Sequence, residues 1–142
     1  MKQTADGSFE FDLSAVVNAI SFYATDLKFK SAVFELDVIP VPVVNAFEIE
    51  VISPGYTGIA SQIIQNIGDI KVATGSKVIW RFACYDTDSL RIKLDENRFL
   101  TAIKEKGEWR SDAVFRSDTR YEVQVKNEKT DYETKMNFTI GV

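Results

Sequence analysis

One residue pattern occurs twice in this chain, in residues 7–38 and again in residues 107–140. Each copy begins at a glycine, runs through two alternating apolar–polar segments and a short polar turn, and ends in a third alternating segment. Self-similarity over a long period indicates repeated structural units, and alternation is typical of half-buried antiparallel strands. The pattern therefore predicts the three closing strands of two successive β-sandwich units, of which only the second has its opening strands in this chain.

The middle of the chain supplies those opening strands. Short alternating segments separated by turn residues about every 8–12 positions are typical of an immunoglobulin-like sandwich. The predicted strands of this unit are residues 47–51, 69–72, 78–84, 90–94, 99–103, 109–115, 121–125 and 136–140. Residues 59–67 are expected to form a helical turn or an irregular crossover. The sequence thus predicts an all-β, immunoglobulin/fibronectin-III-like antiparallel β-sandwich over residues 43–142, preceded by a partial unit (1–39) and a stiff proline-containing linker (40–42).

Charge and hydropathy restrict the partners that the chain is expected to bind. Lys and Arg number 17 and Asp and Glu number 21, a net charge of −4 that leaves no basic stripe for a nucleic acid backbone. The acidic excess lies in residues 1–42, which carry three basic and six acidic side chains. No apolar run approaches the roughly 20 residues that span a bilayer, and the first residues lack the apolar core of a signal peptide. We expect no nucleic acid partner and no membrane contact by this segment.

The segment 119–125, TRYEVQV, is similar to the T-x-Y-x-V-x-V penultimate strand of fibronectin type III domains. Trp80 stands on the second main strand, where that family carries its core tryptophan. Tyr121 is expected to form a tyrosine corner, with its hydroxyl bonded to upstream backbone and its ring in the core. The side chains predicted to face inward are Trp80, Phe82, Leu90, Ile92, Tyr121, Val123, Phe138 and Ile140. Antibody-type domains are a poorer match, because they require a cysteine pair between the sheets.

A second resemblance covers residues 38–78. Residues 54–58 read PGYTG and residues 68–78 read GDIKVATGSKV. This arrangement resembles the P-x-Y-T-G and G-D-(I/L)-x-V-x-x-G-(T/S)-x-V motifs of a large uncharacterised envelope-protein family of Bacteroidetes, although Ala73 stands where the family favours proline. Members are long membrane-anchored proteins whose extracytoplasmic part holds immunoglobulin-like domains. The resemblance implies an immunoglobulin-like fold and a location in the periplasm or at the cell surface, and it implies no catalytic residues.

The residue types of common catalytic sites are missing. The chain has no histidine, which removes the imidazole general base and the usual zinc ligands. The only cysteine, Cys84, cannot form an intrachain disulfide and is interpreted as a small buried apolar side chain. Residues 54–58 lack the Lys-Ser/Thr of a phosphate-binding loop, so we interpret them as a tight turn that switches the first strand between the sheets. We expect no enzyme activity and no cofactor.

Acidic loops raise the question of a calcium site. Asp86, Asp88 and Asp131 lie in loops that a sandwich would place at one end, and Ca²⁺ takes six to eight oxygen ligands. Lys126 and Lys129 dilute the negative charge, and no Asp-x-Asp-x-Asp-Gly spacing is present. We therefore interpret these residues as solvated turn acids and predict no metal site.

Aromatic and arginine side chains are the candidates for contact with a partner or ligand, because they anchor interfaces and stack on sugars. The candidates are Tyr56, Tyr85, Trp109, Arg110 and Tyr132. Trp109 has an alternative role: period-two counting places it on the strand face of Ala113 and Phe115, where it would belong to the core. Two function classes remain open. We favour a structural or spacer module of an envelope protein that assembles with other proteins, and the alternative is a module that binds a glycan or a peptide.

Residues 1–39 carry more apolar side chains than three strands can cover. The predicted apolar face consists of Phe9, Phe11, Leu13, Ile20, Phe22, Phe34, Leu36 and Val38. Isolated small sheets are marginal in water, and monomers rarely expose such faces. We therefore expect the segment to pack on the second unit or to pair with a protein partner. Symmetric pairing in a homodimer is preferred, because the two prolines of the linker would hold the segment away.

Overall fold

The chain forms two units, Met1–Ile39 and Pro40–Val142, in a computed structural model that describes all 142 residues. The first unit consists of two antiparallel hairpins, β1 with β2 and β3 with β4. Its strands are β1 (Lys2–Gln3), β2 (Phe9–Glu10), β3 (Ile20–Phe22) and β4 (Phe34–Leu36). Three strands were predicted in this unit, whereas the structure has four strands of two or three residues each, and the two hairpins do not join into one sheet.

The second unit is an all-β sandwich of two five-stranded sheets. Its strands are β5 (Val43–Ile52), β6 (Gln62–Gln65), β7 (Ile70–Lys71), β8 (Ser76–Tyr85), β9 (Ser89–Leu94), β10 (Arg98–Thr101), β11 (Ile103–Glu105), β12 (Glu108–Phe115), β13 (Thr119–Asn127) and β14 (Tyr132–Gly141). Sheet I has the order β11-β12-β8-β5-β6, and sheet II has the order β10-β9-β13-β14-β7. All pairs are antiparallel except β14 with β7. This architecture confirms the predicted fold class.

The core lies between the inner faces of the two sheets. Of the eight side chains predicted to face inward, seven are buried and Phe138 is partly buried. Trp80 is at the centre with 0% of its surface exposed, and its ring packs at 5.8 Å from Phe115 and 5.5 Å from Tyr121. Since β8 belongs to sheet I and β13 to sheet II, the Trp80–Tyr121 contact joins the sheets. Period-two alternation produces this arrangement by sending every second side chain of each strand inward.

Tyr121 also fixes the end of the sandwich where the chain crosses between the sheets. Its hydroxyl donates a hydrogen bond of 2.6 Å to the carbonyl of Gly68, which lies just before β7. The predicted bond to upstream backbone is therefore present, and it reaches 53 residues back along the chain. Burial raises the pKa of the Tyr121 phenol well above its usual value. The hydroxyl consequently stays a neutral donor over the whole physiological pH range.

Replacing Tyr121 with phenylalanine is expected to lower the free energy of unfolding by about 1–2 kcal/mol, because the buried Gly68 carbonyl loses its donor while the ring packing stays. Denaturant titration of the full chain measures this difference. Replacing the exposed Tyr132 with phenylalanine serves as the matched control and should change stability by less than about 0.5 kcal/mol. Equal effects of the two substitutions would contradict the structural role of the Tyr121 hydroxyl.

Residues 59–67 depart from the predicted helical turn or irregular crossover. They contain β6, which returns antiparallel along β5 and pairs Ile64 with Ile49. The preceding turn is a short 3₁₀ segment, Gly55–Thr57, followed by Gly58 with a φ of 64°. The sequence predicted that this turn switches the first strand between the sheets. In the structure the chain stays in sheet I through the turn, because β5 and β6 pair with each other. The chain changes from sheet I to sheet II after Asn66, which directly follows β6 and has a φ of 55°.

The predicted single strand 99–103 is two strands in different sheets. β10 pairs with β9 in sheet II, whereas β11 pairs with β12 in sheet I. The chain passes between the sheets at Ala102, which is 4% exposed and donates its amide to the carbonyl of Leu90 at 2.9 Å. A small side chain is needed at this position because the backbone runs along the border of the core.

The proline-containing segment 40–42, predicted as a stiff linker, is hydrogen-bonded to the second unit. Pro42 is fully buried. The carbonyls of Pro40 and Pro42 accept hydrogen bonds from the hydroxyls of Thr130 (3.1 Å) and Thr134 (2.8 Å). These bonds satisfy the two proline carbonyls without a backbone ladder. The segment is consequently anchored alongside the start of β14.

Candidate interaction surfaces

The strands of Met1–Ile39 expose their apolar side chains. Exposed fractions are 63% for Phe9, 47% for Phe22, 53% for Phe34 and 40% for Leu36, and no residue of this unit is buried. The rings of Phe22 and Phe34 stack on each other with 5.6 Å between centroids, and this contact covers only part of each ring. The first unit therefore contains apolar strands without a core of its own.

Hydrogen bonds within its turns give the first unit its local shape. In the hairpin after β3, one carboxylate oxygen of Asp26 accepts the amides of Lys28 (2.8 Å) and Phe29 (2.7 Å). These two bonds lower the pKa of Asp26. Ser31 donates its amide to the carbonyl of Ala24 and accepts the amide of Ala24 at its hydroxyl, both at 2.8 Å. The apolar strands are thus held in an extended form without being covered.

The five candidate contact residues do not form one patch. Tyr56 is 80% exposed near the start of β8, where its hydroxyl donates to the carbonyl of Thr74 at 2.7 Å. Tyr85 is 63% exposed at the other end of β8, ten residues of strand away. A strand of that length spans about 30 Å. Tyr56 therefore cannot share a small ligand with Tyr85.

The remaining candidates divide between the core and the surface. Trp109 is 9% exposed and lies opposite Phe82 on the inner face of sheet I, so the core role is the one that the structure shows. Arg110 lies on the outer face of the same sheet, opposite Arg81. Tyr132 is 49% exposed and pairs with Asn127 at the start of β14. Asn127 also donates to the carbonyl of Asp86 at 2.8 Å, which places Tyr132 and Tyr85 at the same end of the sandwich.

The carboxylates in the acidic loops at that end have partners within the protein. Asp88 accepts the amide of Glu128 at 2.9 Å, and Asp131 forms an ion pair of 2.7 Å with Lys126. No group of three or more carboxylate, thiol or imidazole side chains that could hold a metal ion is present in the structure. Asp88 thus connects the β8–β9 loop to the hairpin between β13 and β14.

An open polar groove of about 590 Å³ lies on sheet II at the opposite end, and Arg120, Asp95, Asp118 and Thr139 are among the residues that line it. The carboxylates have partners in the backbone: Asp95 accepts the amide of Arg120 at 3.3 Å, and Asp118 accepts the amide of Val142 at 2.8 Å. Asp69 accepts both the amide and the hydroxyl of Thr139. The groove offers polar groups to a ligand and has no exposed aromatic ring in its lining.

Cys84 is half-buried at the end of β8. Burial raises the pKa of its thiol to about 11, although a hydrogen bond with Thr87 and the charge of Lys104 act in the opposite direction. The thiolate fraction at neutral pH is consequently very small, because the effect of burial outweighs that of Lys104 and Thr87.

Ionic groups cover the centre of the outer face of sheet I. Arg81 bridges Glu48 at 3.0 Å and Glu50 at 2.8 Å. The hydrogen bond that Arg81 donates to Glu50 raises the pKa of Arg81 above its usual value. Around this network the face also carries exposed isoleucines on β6 and β11, Ile63 and Ile103. Ile63 is not among the predicted contact residues, because the strand that carries it was not predicted.

No protein-family description, no curated protein and no solved structure matches this chain. Its only helical residues form one short turn, Gly55–Thr57, so the structure has no helix of the length and apolarity that crossing a membrane requires.

Proposed function

We propose that the chain is a non-catalytic structural and protein-assembly module of a larger cell-envelope protein. In this proposal the second unit acts as a rigid spacer and the first unit supplies the contact. The observation that carries the proposal is the exposure of the apolar strands of Met1–Ile39, which have two or three residues each and no buried residue among them. The envelope location is supported by the resemblance of residues 38–78 to envelope-protein sequences.

The free energy of burial favours a protein partner for these strands. Each large apolar side chain gains about 1.5–3 kcal/mol when it is removed from water. Phe9, Phe11, Phe22, Phe29 and Phe34 are all between 47% and 75% exposed, so their burial against a partner would stabilise a complex by several kcal/mol. Short strands with free edges also supply backbone donors and acceptors for an added strand. The preferred partner is the same segment of a second chain.

A glycan- or peptide-binding module is the second candidate function. The groove around Arg120 supports it, because arginine, aspartate and threonine side chains are suitable partners for sugar hydroxyls and peptide groups. The separation of Tyr56 from Tyr85 weighs against an aromatic platform for a glycan. The assembly function is favoured because the exposed apolar strands are the larger unexplained surface.

Light scattering on the full chain at micromolar concentration tests the assembly function. We expect a species of at least twice the monomer mass, and we expect the double substitution Phe22→Lys, Phe34→Lys to return it to the monomer, because the ammonium groups cannot be buried against a second copy. Phe99→Lys is the control, since Phe99 is 50% exposed but lies on the second unit. A parent chain that stays monomeric, or a double variant that associates as before, would overturn the proposed contact.

A further inference from the structure

The strand β6 forms one edge of sheet I and pairs with β5 on one side only. The segment around it, residues 59–67, reads IASQIIQNI and contains no charged residue, no proline and no glycine. Natural sheets normally protect an edge with charges, prolines or bulges, because a free edge is a template for pairing with another chain. This edge carries none of these protections along β6 itself.

The other three edges of the sandwich do carry charge. β7 ends in Lys71 and follows Asp69, β10 begins at Arg98, and β11 contains Lys104 and Glu105. The absence of charge is therefore particular to β6 and does not reflect a general lack of edge protection in this fold.

The uncharged edge also exposes apolar side chains. Ile59, Ile63 and Ile67 are 50%, 61% and 57% exposed. Ile63 lies on the outer face of sheet I, because it pairs with Glu50, whereas its neighbour Ile64 pairs with the buried Ile49 on the inner face. An added strand would therefore find an apolar side chain on each face of the edge.

We propose that β6 is a self-association edge, at which two copies of this chain pair antiparallel across a two-fold axis that passes beside Ile63. A two-fold axis perpendicular to a sheet keeps each side chain on its own face, so that Ile63 meets Ile63 of the second copy and Gln62 meets Ile64. Ile59 and Ile67 flank β6, four residues before and after Ile63, so the same axis relates the two flanks of the paired strands. The pairing joins the two copies of sheet I into one continuous sheet.

The charges near the edge are compatible with a second copy. The nearest ionic side chains on the outer face are Glu48 and Glu50, and both form ion pairs with Arg81 within their own chain. Because both glutamates are neutralised by Arg81, neither of them presents a free charge to an identical copy at this edge. The spacing of the isoleucines about Ile63 is self-complementary, which favours the second copy over an unrelated strand.

The size of the contact limits its strength. A ribbon formed by the four residues of β6 from each copy falls in the class of weak and transient interfaces, which bury less than about 1,200 Å² in total. We therefore expect a dissociation constant on the order of 100 μM rather than a permanent dimer. Such an edge contributes when many copies are held close together, because tethering raises the effective concentration.

Sedimentation of the full chain as a function of concentration tests this contact. The substitutions Phe22→Lys and Phe34→Lys serve as the background, so that association through the first unit is absent. In this background we expect a dimer at high micromolar concentration, at least a tenfold weaker dimer when Ile63→Lys is added, and no change when Ile103→Lys is added. Ile103 is the matched control because it is 66% exposed on the opposite edge of the same sheet. Thermal unfolding of each variant verifies that it is folded.

Disulfide trapping identifies the symmetry. Directly opposed residues of an antiparallel pair have Cα atoms about 4.5–5.5 Å apart, which is within the range of a disulfide. Ile63→Cys should therefore give a covalent dimer under mild oxidation, whereas Ile103→Cys and the parent chain, whose only thiol is Cys84, should not. Equal trapping at positions 63 and 103, or an unchanged dimer with Ile63→Lys, would overturn the β6 contact and leave the contact of the first unit as a separate result.

Discussion

Replacing Trp80 with alanine is expected to lower the free energy of unfolding of the second unit by about 3–5 kcal/mol. The indole is 0% exposed and contacts Phe115 in sheet I and Tyr121 in sheet II, so its removal leaves a cavity at the centre of the sandwich. Chemical denaturation of the full chain, followed by far-ultraviolet circular dichroism, measures the change in midpoint. Phe99→Ala is the control, because Phe99 is 50% exposed and should cost less than about 1 kcal/mol.

A phenylalanine at position 80 separates the two contributions of the indole. The Nε1–H of Trp80 is buried near the Tyr121 hydroxyl but has no partner with hydrogen-bonding geometry. Trp80→Phe therefore removes an unsatisfied donor together with part of the ring, and it should cost less than half of the loss caused by Trp80→Ala. A loss of less than about 1 kcal/mol for Trp80→Ala would contradict the central position of this side chain.

Alternation allowed the sequence to predict the core of the second unit. Trp80 and Phe82 on β8 and Ile92 on β9 face inward because every second residue of a half-buried strand must lie on the apolar side. The sequence of such a strand alone therefore shows which of its side chains face the core. The buried faces, and with them the sandwich, were therefore predictable without knowledge of which strands pair.

Pairing and sheet changes were not predictable in the same way. β6 contains the adjacent residues Ile63 and Ile64, which break the alternation, and its register is set only by its pairing with the preceding strand β5. The change of sheet at Ala102 depends on a hydrogen bond with Leu90 across the structure. Both features depend on non-local contacts, so the local pattern predicted a helical turn or crossover in the first case and one strand in the second.

The candidate contact residues show the same limit. Residue type selected Tyr56, Tyr85 and Trp109 as anchors, but exposure and proximity are properties of the fold. Trp109 is buried opposite Phe82, and Tyr56 and Tyr85 are separated by the length of β8. The excess of apolar side chains in residues 1–39 could be predicted from the sequence, because counting apolar side chains does not require knowing how the strands pair.

Replacing Gly68 with alanine is expected to cost about 1–3 kcal/mol, because a Cβ at this position would overlap the ring of Phe138. The ring has little room to move, since it packs at 5.8 Å from Phe47 and 5.5 Å from Tyr121. A shift of the backbone instead would lengthen the hydrogen bond from Tyr121 to the Gly68 carbonyl. Gly55→Ala is the matched control, because nothing lies within 4 Å of a Cβ at Gly55.

A double-mutant cycle shows whether the overlap with Phe138 is the cause. Phe138→Ala removes the ring atoms that a Cβ at position 68 would meet, so the cost of Gly68→Ala should fall by at least about 1 kcal/mol in the Phe138→Ala background. Denaturant midpoints of the four chains in the cycle give the coupling energy. If Gly68→Ala were as mild as Gly55→Ala, or if its cost were the same in both backgrounds, the close approach of the crossover to β14 would not be what requires glycine at this position.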